Sequence, residues 1–262
     1  MDIMIILGLL ISLVSITFGF LEEGGKLSTL LAPSAALIVF GGTIGATVMS
    51  YSKEDIFSAL SMLKMVIFKS VVDKSGTIEK IVALAEKARR EGILYLENDL
   101  DEIEIPFLRK GIQLIVDGTN PEMLRTIMET EMYTMQEKQE IGASVFEKAG
   151  GYAPTMGIIG TVMGLVHVLG NLSDPEKLGP SIAMAFIATL YGIGSANIIY
   201  LPIAGKISNV SKQDAVLKEL MLEGLMSIQA GNNPVLIREK LTAFLNPKER
   251  EGEMREAVVF EE

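Results

Sequence analysis

The chain has 262 residues, with 23 Lys and Arg against 33 Asp and Glu, one His and no Cys. Without cysteine there is no disulfide framework and no thiolate metal site, one histidine rules out a His-based metal cluster within a single chain, and a net charge of -10 argues against nonspecific nucleic-acid binding. A mean hydropathy of +0.38 beside 21% charged residues requires that apolar and charged positions be segregated along the chain.

They are segregated into four apolar stretches and two polar ones. Residues 3–21 carry no charge and are long enough to cross a bilayer core of about 30 Å as a helix. A cleaved signal peptide is the competing reading of this stretch. It lacks a positive leading region, since Asp2 is the only charge before the apolar run, and Phe18-Gly19-Phe20-Leu21 is a poor cleavage site. Residues 30–49 form the second candidate span, with Pro33 near its start, where a helix tolerates proline. Residues 51–149 are polar, with 13 basic and 18 acidic side chains. Within them Ile78, Ile81, Val82 and Ala85 fall on one helical face. Gly92 breaks that pattern, residues 93–100 begin another predicted helix, and Asn120-Pro121 opens one through about residue 148 with Asn120 as its cap. Residues 150–172 and 181–204 are the third and fourth spans. The tail over 209–244 reads as two helices divided at Gly231-Asn232-Asn233-Pro234, Asn233 capping the second, and the charged residues after Pro247 read as loose.

The expected fold class is therefore all-α, a polytopic membrane protein with four transmembrane helices and a helical cytoplasmic domain. Its parts are 1–50 (spans one and two), 51–149 (cytoplasmic), 150–205 (spans three and four) and 206–262 (cytoplasmic tail). The short segments 22–29 and 171–180 hold one basic residue each, Lys26 and Lys177, whereas the long polar segment and the tail hold the remainder. The excess of Lys and Arg places the two short loops outside and both termini in the cytoplasm.

The third and fourth spans are rich in small residues. Gly157, Gly160 and Gly164 lie on one and Gly192 on the other, a composition that lets helices approach closely, within the chain or between copies. Their polar residues, among them Thr155, Thr161, His167, Thr189, Tyr191, Ser195, Asn197 and Tyr200, could line a wet path or bond their own helix backbone. No Asp, Glu, Lys or Arg lies deep inside any span. Intramembrane carboxylates mark cation pathways, so either no cation moves or a partner helix supplies the carboxylate. Pro154 and Pro202 sit at similar depth in spans three and four and can bend them. No nucleophile–base pair, metal cluster or phosphate loop points to an enzyme or to a bound cofactor.

The stretch from Ala153-Pro154-Thr155-Met156-Gly157 to Gly164-Leu165-Val166 resembles the third-span motif of the MotA-type flagellar stator family. Ala185-Phe186-Ile187-Ala188-Thr189-Leu190-Tyr191-Gly192, followed by Pro202, resembles the signature shared by MotA, TolQ and ExbB proteins. Gly41-Gly42-Thr43 and the run from Arg89-Arg90-Glu91-Gly92 to Leu96-Glu97 add to the likeness, which covers nearly the whole chain. The resemblance implies a pentameric ring in the inner membrane around a pair of MotB helices, MotB carrying the ion-binding Asp and the peptidoglycan anchor. It implies that the ring turns a rotor protein, FliG, through Arg89 (or its neighbour Arg90) and Glu97. It implies an ion path near Thr161, Thr189 and Tyr191 for transported H+ or Na+, and conformational coupling through Pro154 and Pro202. An ExbB or TolQ subunit, which has three spans, and a passive membrane scaffold are the alternatives.

Overall fold

The computed structural model describes residues 3–68, 73–170, 175–247 and 249–250, and no strand occurs among them. Four helical segments are long and apolar enough to cross a membrane. Helix α1 (Ile3–Glu22) buries no residue, as suits a helix apolar all round that faces lipid. The second span is interrupted. A 3-10 turn (Leu27–Leu30) precedes two non-helical residues, Leu31 and Ala32. Helix α2 (Pro33–Ala36) then starts with proline at its first position, and a π turn (Leu37–Gly41) leads into α3 (Gly42–Ser50). Helix α4 (Lys53–Phe68) follows.

Among the polar segments, α5 (Lys74–Glu91) begins where the Asp73 carboxylate accepts from the Gly76 N–H at 2.8 Å, one of the donors every helix start leaves unpaired. It ends at Gly92, whose φ of +97° is in the region that glycine adopts without strain. The residues after Gly92 depart from expectation. Instead of an α-helix they wind as 3-10 turns over Ile93–Glu102. Asn98, Asp99 and Asp101 are poor helix formers, and Glu97, Asp99, Asp101 and Glu102 crowd like charge. Two tertiary contacts then fix the winding: Leu96 is fully buried and Asp99 accepts from Lys87 at 2.5 Å. Helix α6 (Pro106–Val116) and α7 (Pro121–Gly170) complete the middle of the chain. Asn120 caps α7 as expected, accepting from the Met123 N–H at 2.8 Å. The helix does not stop near residue 148, however. It runs 50 residues without interruption into the third span, through Pro154.

Helix α8 (Pro175–Ser195) starts six residues before the expected fourth span. A π turn (Ala196–Tyr200) joins it to α9 (Leu201–Gln229), and α10 (Pro234–Thr242) is capped by Asn233, which accepts from the Val235 N–H at 3.1 Å. The tail read as loose lies outside the described residues beyond 250.

By contacts the chain forms two units, residues 1–70 with 137–210, and residues 71–136 with 211–262. The first holds the membrane spans. There Ala32, Ala35 and Val39 of the second span close on Ala188 of the fourth. The second unit has a conventional aliphatic core. Ile78, Ile81, Val82 and Ala85, the predicted face, are at most 4% exposed, and they meet Leu108, Ile112, Leu124, Leu225 and Leu241. Each such aliphatic side chain contributes about 1.5–3 kcal/mol on burial.

At the edge of this core Glu223 accepts from Lys240 at 2.5 Å and from Arg125 at 3.0 Å. The Lys240 hydrogen bond, then that of Arg125, holds its carboxyl below the usual carboxylate range against the opposing effect of burial. A carboxyl lowered in the folded state stabilises above its unfolded pKa and loses that contribution as pH falls through the folded value. Glu223→Gln is therefore expected to cost about 1 kcal/mol at neutral pH. In thermal unfolding of the full chain in detergent, its difference from wild type should be greatest at neutral pH and vanish in acid.

Candidate ion-path site

The third and fourth spans meet along their small residues. A Cβ built on Gly157 would lie 2.9 Å from the Ala188 carbonyl oxygen, and one on Gly192 would lie 2.5 Å from that of Ala153. Farther along the same seam a Cβ on Gly160 would lie 2.7 Å from Cβ of Ala188, and one on Gly164 would lie 2.8 Å from Cβ of Ala185. Backbone therefore rests on backbone at Gly157 and Gly192, and glycine faces alanine over the next two turns, an approach no larger residue permits.

That proximity brings Thr161 of α7 against Thr189 of α8. Their hydroxyl oxygens are 2.5 Å apart. The Thr161 hydroxyl is also 2.8 Å from the Ala185 carbonyl oxygen, across the seam, and 3.1 Å from that of Gly157 on its own helix. A hydroxyl has one proton. If Thr161 donates to Ala185, Thr189 donates to Thr161, so four oxygens of two helices gather with two protons among them. Such a cluster is a suitable lining for a hard cation or a proton relay, since oxygen ligands suit small hard ions. It cannot itself take up a charge, because neither helix carries an acidic or basic residue at that depth.

Other polar side chains of these spans bond their own helices. Thr155 donates to the Tyr152 carbonyl at 2.7 Å, Ser195 to Gly192 at 3.2 Å and Asn197 to Ile193 at 2.9 Å. Tyr191 is different: it turns to the second span, where its hydroxyl donates to the Leu30 carbonyl and accepts from the Ala32 N–H. His167 lines a small cavity with Ser34, Gly164 and Ser181. Pro154 is half-buried inside α7, and Pro202 is exposed, separated from the end of the second π turn by Leu201. Arg89, Arg90 and Glu97 are all exposed in the other unit, at the end of α5 and in the 3-10 winding beyond Gly92.

Sequence reading considered polar groups only in the third and fourth spans. It passed over Thr43 and Thr47 of the second, both buried and donating to the carbonyls of Val39 at 2.6 Å and Thr43 at 2.8 Å. Their spacing of four residues is the signal that would have found them. It also missed Phe40, which stacks on Tyr191, and it gave Ala188 only as a small residue of the fourth span, where the structure sets the second span on one side of it and the third on the other.

This architecture defines a class: a four-span helical membrane protein whose third and fourth spans gather hydroxyl and carbonyl oxygens at one seam and carry no carboxylate there. Residues 99–220 match the model of the MotA/TolQ/ExbB proton channel family, and residues 6–92 match that of the Motility protein A N-terminal region. Motility protein A of Bacillus subtilis is 36% identical over 95% of this chain and 93% of its own length. Two solved structures share the fold. "Structure of C. jejuni MotAB" matches with a TM-score of 0.90 at 31% identity, covering 94% of this chain and 97% of that one. The flagellar MotAB stator complex from Bacillus subtilis matches with a TM-score of 0.87 at 34% identity, covering 94% and 98%. The chain belongs to the MotA/TolQ/ExbB proton channel family.

Proposed function

We propose that the chain is the stator subunit of a bacterial flagellar motor, forming with MotB an ion channel that turns cation flow across the inner membrane into torque on the rotor protein FliG. The observation that carries this reading is the Thr161–Thr189 oxygen cluster in spans that contain no carboxylate. Such an interior can pass a cation but cannot trap and release one, so the titrating group comes from a partner helix, the Asp of MotB. The printed names of the relatives, Motility protein A and the MotAB stator complex, support this partner, and four candidate spans favour a stator over a three-span ExbB or TolQ subunit.

The chain works as a pentamer around MotB, with both termini in the cytoplasm. A proton or sodium ion binds the partner carboxylate and crosses past Thr161 and Thr189, and one charge falling through 100 mV releases about 2.3 kcal/mol. Neutralising and re-exposing the carboxylate changes which face of the ring binds it best. The ring steps, bending at Pro154 and Pro202, and Arg89, Arg90 and Glu97 push the rotor.

The test is complementation of a stator-deleted bacterium by this chain and a MotB-type partner. Valine matches threonine in shape and leaves the Ala185 carbonyl its helical bond, so the change costs little stability, on the order of 1 kcal/mol. Thr161→Val or Thr189→Val is expected to halve swimming speed or worse at a fixed gradient, and the double substitution to stop it at unchanged membrane content. Normal swimming by the double variant would overturn the pathway.

A further inference from the structure

The start of the second span poses a problem in lipid. Between the 3-10 turn and α2, Leu31 (φ -87°, ψ 96°) and Ala32 (φ -124°, ψ 89°) leave helical geometry, so the ladder breaks there: the Leu31 N–H still bonds the Ser28 carbonyl and the Ala32 carbonyl accepts from the Ala36 N–H, and the groups between have no helical partner. Ala32 is the residue at which α2 begins, it has no side chain that can cap, and it is only 7% exposed. An unpaired backbone group in a span would be strongly unfavourable wherever it meets hydrocarbon, which offers no replacement partner. Proline at position 33 removes one donor. The carbonyl of Leu30 and the N–H of Ala32 are two groups that neither turn nor helix pairs.

Both are met by one atom from another helix. The Tyr191 hydroxyl of α8 donates to the Leu30 carbonyl and accepts from the Ala32 N–H at 3.3 Å. Its ring stacks on Phe40, in the π turn of the same span, with centroids 5.8 Å apart and planes at 28°. Tyr191 thus holds the second span at two places, before α2 and within the π turn. The hydroxyl's one proton is committed to the Leu30 carbonyl.

We propose that Tyr191 is a positioning residue: it caps the broken start of the second span from the fourth and thereby sets the alignment of the Thr161–Thr189 pair. The link is Ala188, 1% exposed, which packs on Ala32, Ala35 and Val39 on one side. On the other side its backbone and Cβ limit the space at Gly157 and Gly160. Thr189 is the next residue. Freeing the second span loosens one wall of Ala188, and the 2.5 Å approach of Thr189 to Thr161 depends on the other. This inference rests on the stator reading for its functional consequence, but not for the cap itself.

Tyr191→Phe tests it, since phenylalanine keeps the ring and its stacking and removes only the hydroxyl. In the complementation assay, speed is measured across a sodium series and across a protonophore series, and the series to which the wild-type chain responds is the one compared. Tyr191→Phe is expected to raise the gradient or concentration for half-maximal speed about fivefold, the equivalent of one net hydrogen bond, while keeping most of the plateau speed and all of the membrane content. A fall in membrane content, with speed reduced in proportion at every point, would mean a merely structural role and overturn the proposal. So would a response identical to wild type.

A second measurement does not need motility. The chain has no cysteine, and the Ser34 hydroxyl is 3.0 Å from the Met184 sulfur. The pair Ser34→Cys and Met184→Cys is expected to cross-link in membranes treated with a short bifunctional thiol reagent, which spans the gap left by the shorter cysteine at 184, and to lose at least half of that yield when Tyr191→Phe is added. Unchanged cross-linking would overturn the cap. If the wild-type chain failed to restore motility, the stator reading would fall, while the cross-linking result would still decide the cap.

Discussion

Gly192→Leu is expected to abolish motility and to lower the amount of chain held in the membrane. At Gly192 even a Cβ would lie 2.5 Å from the Ala153 carbonyl oxygen and 3.0 Å from the Gly157 Cα. Both neighbours are backbone of a continuous helix, which cannot swing aside as a flexible side chain can. Alanine should therefore already cost about 1–3 kcal/mol, the usual range for overpacking a close-packed interior. Leucine would have to part the two helices over a full turn and so break the contact between Thr161 and Thr189. Gly194 provides the control on the same helix, since a Cβ there meets nothing within 4 Å. Swimming assays with immunoblots of membrane fractions should rank Gly194→Ala as wild type, Gly192→Ala as impaired and Gly192→Leu as dead. Free swimming by the leucine variant would mean that the seam is not closed in the working complex.

Pro202→Ala is expected to stop torque by a different route, without loss of the protein. The Leu201 N–H bonds the Ala196 carbonyl five residues back, which is what makes Ala196–Tyr200 a π turn. Pro202 follows and has no N–H to offer the Ile198 carbonyl four residues before it, so the wider turn and the proline belong together. Alanine restores that donor and lets the helix return to an unbroken α register, removing the bend on which stepping depends in the proposed cycle. Proline inside a helix costs about 3 kcal/mol, so the variant should be at least as stable as wild type. Full membrane content with no rotation is the expected result, and Pro154→Ala, inside α7, should act in the same direction. Reduced content in proportion to reduced speed would count against a coupling role.

Much of the fold was legible because the signals are local. The spans follow from apolar length, and the caps at Asn120 and Asn233 from a short polar side chain beside proline. The face of α5 follows from spacing. The segment after Gly92 was misread as an α-helix because its apolar spacing suits either winding, and the choice was made by Leu96 and the Lys87–Asp99 pair. The end of α7 was misplaced because the chain gives no stop near residue 148. Gly150, Gly151 and Pro154 weaken a helix in isolation, yet Ala153 and Gly157 are buried against the fourth span, and tertiary packing carries the helix through.

Of the candidate site, residue types were readable and roles were not. Threonines, glycines and a tyrosine in apolar spans are visible in any reading of the chain. Which hydroxyls bond their own helix, as Thr155 does, and which reach across, as Thr161 does, depends on the rotation of one helix about another. Hydropathy cannot specify that rotation.

The sequence by itself determined that this is a four-span helical membrane protein, that its charged residues are gathered into separate helical segments, and that no Asp, Glu, Lys or Arg lies deep inside a span. Those properties are set by the solvation of each segment, and solvation is additive along the chain. Only the tertiary structure decided that Thr161 meets Thr189, that Tyr191 caps the second span, and that both the second and the fourth span widen into a π turn. These depend on how closely glycine lets two backbones approach and on which buried polar groups find a partner on another helix, and neither is a property of any one segment.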